Sequence, residues 1–254
     1  MKILTLIMGI VLYSTLSFAG TIDPQTPDSK YIEYGEKFNH VVKLCCLDGK
    51  GISCGSAVVI DPHWIITAAH VVENCHSWTV NIKDKQYKIS RIFINPKYDT
   101  NVFGESDIAI GYAQDPIELE FYPRLYEKED EVGKICAIAG WGLTGNFNTG
   151  VKISDGKIRG GSNFIDRTEK KVLICSPSRK NEKFTELEYL ICSGDSGGGL
   201  FIDGKLAGVN SSVLGYDGKP DSTYTDESCH TRIILYIDWI NKTMGEYNAQ
   251  KKEK

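Results

Sequence analysis

The chain has 254 residues, of which 41% are hydrophobic, and its 29 basic and 33 acidic residues leave a formal net charge of −4. That balance supplies a core of ordinary size for a globular protein and gives no basic patch for nucleic acid. The one dense charge run is the terminal Lys251-Lys252-Glu253-Lys254, so membrane-surface binding is not indicated either.

In chain order, Lys2 is followed by an apolar run from Ile3 to Leu16 and then by Ser17-Phe18-Ala19. This reads as a secretory signal peptide over residues 1–19, with the mature chain starting at Gly20. The run is shorter than the roughly 20 apolar residues a membrane span needs. The expected product is soluble, and secreted or periplasmic. Residues Gly20–Lys30 hold two prolines and two aspartates with little apolar content, which reads as a flexible leader, with 20–31 a candidate pro-segment. A single domain is expected over 32–246, followed by a charged tail at 247–254.

Short apolar, often β-branched runs then recur between turn signals: 40–47, 56–60, 64–67, 78–82, 87–94, 108–112, 135–139, 172–175, 200–202 and 206–209. They predict an all-β domain. Only the end looks helical, with Ile233, Tyr236, Ile237 and Ile240 at helical spacing. Eight cysteines in an exported chain predict disulfides, whose connectivity the sequence leaves open.

Three segments carry chemistry. In Cys192-Ser193-Gly194-Asp195-Ser196-Gly197-Gly198-Gly199, glycines flank a serine and free backbone N–H groups to face a developing oxyanion. A serine hydroxyl also needs a base. Thr67-Ala68-Ala69-His70 places an imidazole after a strand, and Ser106-Asp107-Ile108-Ala109-Ile110 places a carboxylate before one. Such an acid can orient such a base.

Taken in the order His, Asp, Ser, these segments resemble the chymotrypsin/trypsin family of serine proteases. TAAHV, DIAI and GDSGGG are similar to its T-A-A-H-C, D-I-A-L and G-D-S-G-G-P patterns. Gly140-Trp141-Gly142, Asn210-Ser211 and the segment from Thr231 to Ile240 extend the resemblance over about Ile32 to Ile240. It implies two packed six-stranded antiparallel β-barrels with a C-terminal α-helix. It further implies a serine endopeptidase with His70, Asp107 and Ser196 as catalytic triad and the Gly194 and Ser196 amides as oxyanion hole. Protein or peptide substrates follow, with a protein inhibitor as a further candidate partner, a monomer as the expected state, and no metal or cofactor.

Departures from the family pattern bear on specificity. Leu190 stands at the floor of the primary pocket where trypsin-like members carry aspartate, which disfavours Lys or Arg before the cut. Ser211, Ser212 and Val213 replace the Ser-Trp-Gly wall, and the valine should narrow the pocket toward small or medium apolar side chains. By the same resemblance Cys192 is expected to bridge Cys229, Cys75 to pair with Cys54, Cys45 or Cys46, and Cys136 is left with Cys175 as an open option. Family activation frees an ammonium that pairs with the residue matching Asp195. The nearest start here is Tyr31-Ile32, so the expected activating terminus is Ile32, or Tyr31 if the cut follows Lys30.

Two rivals share part of this pattern. Gly194-Asp195-Ser196-Gly197-Gly198 also fits the G-x-S-x-G elbow of α/β-hydrolases, but the glycine-rich, strand-like stretch after it does not suit the helix that fold requires. A catalytically silent binding protein on the same fold is the other, and retention of all three triad side chains weighs against it.

Overall fold

A computed structural model describes residues 20–153, 155–178 and 184–253. The expected signal peptide at 1–19 lies outside the described residues, as does Lys254. From Gly20 the chain forms a two-residue strand β1 (Thr21–Ile22) and a helix α1 (Asp28–Gly35) before entering the first barrel.

Six strands build that barrel: β2 (Val41–Asp48), β3 (Gly51–Asp61), β4 (Trp64–Thr67), β5 (Cys75–Ile82), β6 (Lys85–Ile94) and β7 (Ala109–Ala113). They close in the order β2-β3-β4-β7-β6-β5, with every pair antiparallel. Closure leaves no sheet edge, and Leu44, Val59, Ile65, Val80 and Ile89 fill the interior. Asp48 turns the first hairpin by accepting the Lys50 and Gly51 amides at 2.7 and 2.8 Å. Two disulfides lie in this half, Cys45–Cys54 between paired strands and Cys46–Cys75 at the base of the short helix α2 (Ala69–Val72). Among the three partners left open for Cys75, the structure selects Cys46.

The second half contains β8 (Ile135–Gly140), β9 (Thr144–Asn146), β10 (Gly150–Ile153), β11 (Arg159–Phe164), β12 (Arg167–Glu169), β13 (Val172–Cys175), β14 (Tyr189–Leu190), β15 (Gly199–Ile202), β16 (Lys205–Gly215) and β17 (Asp226–Arg232). A seven-stranded sheet runs β11-β8-β15-β16-β17-β13-β12, beside a four-stranded sheet β10-β9-β1-β14. The two-barrel expectation therefore holds as one closed barrel and one barrel-like half. Among the named strands of the described residues, β1 departs from the antiparallel rule by running parallel to β9.

Residues 20–30 are not a loose leader. Thr21 and Ile22 are buried in a sheet, and α1 is fastened to β11 by Arg159, which is 1% exposed and pairs with Asp28 and Asp155 at 2.6–2.9 Å. The charged tail from residue 247 continues a helix as far as Lys252. After a 3₁₀ turn at Ile233–Tyr236, helix α3 runs Ile237–Lys252, and Tyr247 packs its ring against Trp64, Phe93 and Tyr112 of the first barrel. None of the described helices is long and apolar enough to cross a membrane.

Candidate active site

β4 ends at Thr67, and the fully buried Ala68 and Ala69 anchor the start of α2, so the next residue, His70, is turned outward with its side chain 36% exposed. Its ring Nδ1 lies 2.8 Å from Asp107 Oδ2, and its backbone N–H donates to Asp107 Oδ1 at 3.0 Å. Ser211 Oγ donates to the same Oδ2 at 2.6 Å. Nδ1 therefore carries the proton of the neutral imidazole, leaving Nε2 as the acceptor.

Asp107 is positioned through its neighbours. Ser106 holds a left-handed φ of 54°, and its hydroxyl accepts from Tyr236 at 3.2 Å. The Asp107 carbonyl accepts from Thr231 Oγ1 of β17 at 2.9 Å, so the second half of the molecule helps to set a first-half carboxylate. Strain of this kind persists only where surroundings over-determine it. Burial acts to raise the Asp107 pKa, but the His70 hydrogen bond and charge together with Ser211 bring it below the ordinary carboxylate range. Burial likewise acts to lower the His70 pKa, and the Asp107 hydrogen bond and charge outweigh it, so the imidazole is more basic than usual.

Ser196 lies in the turn before β15. Gly197 after it has φ +86°, and a Cβ there would meet Ser56 O at 2.1 Å and Thr67 Oγ1 at 2.2 Å, so the turn accepts only glycine. Ser196 Oγ donates to Ser211 O at 3.3 Å. Ser211 thus touches both the acid and the serine, through its hydroxyl and its carbonyl. The Gly194 carbonyl is drawn inward by Ser56 Oγ at 2.9 Å, which itself accepts the Trp141 amide at 3.0 Å. Among the described residues, neither the Gly194 nor the Ser196 amide N–H donates to a backbone acceptor. Ser56 was not singled out in the sequence, where it reads as an ordinary small strand residue.

Asp195 points away from this cleft and is fully buried. Its Oδ1 accepts the Gly142 amide at 2.8 Å, its Oδ2 accepts the Gly20 and Cys192 amides at 2.8 and 2.9 Å, and the Tyr189 hydroxyl lies 3.3 Å from both oxygens. Burial pushes its pKa up to about 6 against the opposing pull of these donors. Ile32, expected as the activating terminus, is not the residue placed there. Ile32 lies within α1 beside the fully buried Tyr31, and the backbone nitrogen that reaches Asp195 is that of Gly20. Tyr189 was also missed, because a tyrosine on an apolar strand gives no sign of a carboxylate beside it.

The other expected residues divide. Leu190 is fully buried in β14 and pairs with Thr21. Ser212 is exposed and Val213 half-buried on β16, directly after Ser211. The Cys192–Cys229 bridge does not form: Cys229 on β17 packs with Val172 and Ile174, whereas the Cys192 thiol is directed at the Leu143 carbonyl. Cys136 and Cys175 are in contact at 3.8 Å without a bridge. Beside His70 and Asp107, a cleft of about 300 Å³ is lined by Tyr98, Val102, Phe103 and Ser212.

Comparison with known proteins agrees with this architecture. The family model described as Trypsin matches residues 35–240. Glandular kallikrein-10 of Rattus norvegicus is 26% identical, covering 93% of this chain and 98% of its own length, and tonin from the same species is 27% identical, covering 94% and 99%. Among solved structures, an HL collagenase has a TM-score of 0.66 at 18% identity, covering 82% of this chain and 94% of its own. Neuropsin, a serine protease of mouse brain, has a TM-score of 0.62 at 21% identity, covering 80% and 93%. At those identities the structural likeness speaks for the fold, while the family model spans most of the chain. The chain belongs to the trypsin family and is a serine endopeptidase.

Proposed function

We propose that the protein is an exported serine endopeptidase that cuts through an acyl-enzyme, with Ser196 as nucleophile, His70 as base and acid, and Asp107 as the group that orients His70. The observation that carries this reading is the carboxylate of Asp107, which takes His70 Nδ1 and Ser211 Oγ on one oxygen and the His70 amide on the other. In the reaction His70 Nε2 takes the Ser196 proton as Oγ adds to the substrate carbonyl, then gives it to the departing amine. A water molecule, deprotonated by the same nitrogen, releases the acid product. The Gly194 and Ser196 amides supply donors for the oxyanion, each worth about 3–4 kcal/mol in such sites.

For the residue before the cut, the family resemblance puts the uncharged Leu190 and a narrowing Val213 at the primary pocket, which favours small or medium apolar side chains. A basic side chain entering that pocket would lose its hydration with no carboxylate to replace it. The aromatic cleft lined by Tyr98 and Phe103 suits an apolar residue further toward the substrate's N-terminus. The apolar segment ahead of Gly20 supports export to a secreted or periplasmic setting.

An organophosphonate active-site probe tests the mechanism. Labelling is expected on Ser196 and should vanish in Ser196→Ala; an enzyme that never labels would instead be a silent binding protein. A peptide library tests the preference, and dominant cleavage after Arg or Lys would refute the roles given to Leu190 and Val213.

A further inference from the structure

The segment that delivers Gly20 to Asp195 is built for that place. Thr21 and Ile22 pair with Leu190 and Tyr189 on one side and with Gly145 and Asn146 on the other, and Thr21 Oγ1 donates to Ser222 O at 2.6 Å. Gly20 has φ +48°, and a Cβ on it would lie 2.0 Å from Cζ of Tyr189. Glycine is thus required by space, since the Tyr189 ring fills the room a larger first residue would use.

Among the described residues the donors around Asp195 are all neutral: three backbone amides, a phenol and the Cys192 thiol. Among the described residues no Lys, Arg or His forms an ion pair with this carboxylate, although it is fully buried. An ionised carboxylate out of water needs a counter-charge. One of the neutral donors is convertible into a cation, because the bond before Gly20 is also the predicted end of the leader, after the small residue Ala19.

We propose that hydrolysis of the Ala19–Gly20 peptide bond is itself the activating step: the freed Gly20 ammonium becomes the counter-ion of Asp195, and no separate pro-segment intervenes between leader and enzyme. This rests on the serine endopeptidase mechanism proposed above. Water adds across the bond, Ala19 leaves as a carboxylate, and the Gly20 nitrogen keeps the electron pair and takes up protons to become –NH₃⁺. An α-amine ordinarily titrates near 8 and is cationic at neutral pH, more so beside a carboxylate. The new ion pair clamps Asp195, whose chain neighbours Gly194 and Ser196 carry the oxyanion amides. A peptidase of the leader-removing class therefore does what a second activating protease does elsewhere, and the enzyme emerges from export already competent. Cutting at Tyr31-Ile32 would instead sever α1 and discard β1.

The test uses two leaderless forms, one beginning at Gly20 after removal of a cleavable tag and one carrying a single extra serine before Gly20. The Gly20 form is expected to label at Ser196 with the phosphonate and to cleave peptides, and the extended form to do so at least ~100-fold more slowly. Gly20 forms carrying Asp195→Asn should show a comparable loss. The N-terminus of active exported enzyme, read by Edman chemistry or intact mass, should be Gly20. Equal labelling of the Gly20 and extended forms, or an exported active enzyme starting elsewhere, overturns the activation step while leaving the protease mechanism standing. Failure of every form to label overturns the mechanism and the activation step with it.

Discussion

Two buried carboxylates lie on either side of the Ser196 turn, and they meet opposite fates. Asp107 accepts from an imidazole that can become a cation, and its pKa falls below the ordinary range. Asp195 is more deeply buried and has more donors, yet all are neutral, and its pKa rises to about 6. The number of hydrogen bonds does not decide the outcome; the presence of a charge that can answer the carboxylate does. Asp107 carries its counter-charge within the same cleft, whereas Asp195 must receive one from the chain's own beginning.

The largest effect that could break this contrast comes from Asp107→Asn. Removing the charge while keeping the shape should favour the wrong imidazole tautomer and lower kcat on the order of 10⁴-fold, with little change in KM. Steady-state kinetics on a peptide substrate would measure it, and a loss of only a few-fold would mean that His70 is oriented by other groups. Asp195→Asn is expected to cost about 10²- to 10³-fold, since it acts on the oxyanion donors and not on the base.

The pH dependence sharpens the same comparison. His70 must be neutral to accept a proton, so kcat/KM should fall as pH drops through a His70 pKa that lies above its ordinary value. Stability gives the counterpart. A carboxyl group raised from 3.8 to about 6 favours the folded chain only in its protonated form, so a form with an amide at Gly20 loses stability as pH rises through that window. The full loss is about 3 kcal/mol above pH 6. Thermal melts of the serine-extended and Gly20 forms should therefore agree near pH 4 and separate by pH 7, with the Gly20 form more stable. For Asp107, whose folded pKa is depressed, the sign reverses: its contribution is present above the unfolded value and is lost as pH falls through the folded one. The smallest effect is expected from Ser211→Ala, which removes one 2.6 Å hydrogen bond from a carboxylate that keeps two others, and should cost about 1–2 kcal/mol in kcat/KM.

Much of this is legible in the amino-acid sequence alone. Trp64–Thr67 and Val172–Cys175 are strands with the bounds their β-branched runs predict, because a short apolar run between turn signals has few other uses. His70, Asp107 and Ser196 stand out because each sits in a local pattern that a cleft requires. Two-residue β1 could not be read, since Thr21-Ile22 is too short to show alternation and is followed by the polar Asp23-Pro24 typical of a leader. Helix α1 buries only Tyr31 and Gly35 through its own length, too little for an apolar stripe, and is held by the distant Arg159. The bridge expected for Cys229 failed for a similar reason. Which face of β17 a cysteine takes depends on its register with β13 and β16, which no nearby residue announces.

The two ends of the chain are crossed over between its halves. Strand β1 leads into the first barrel but is sewn into the second half, and α3 leaves the second half but sets Tyr247 against the wall of the first barrel. Each half is thus buttoned by a segment whose continuation belongs to the other, like two flaps of a coat fastened from opposite sides. Neither flap should hold its shape when cut from its partner, and amide exchange should show both opening together as one cooperative unit.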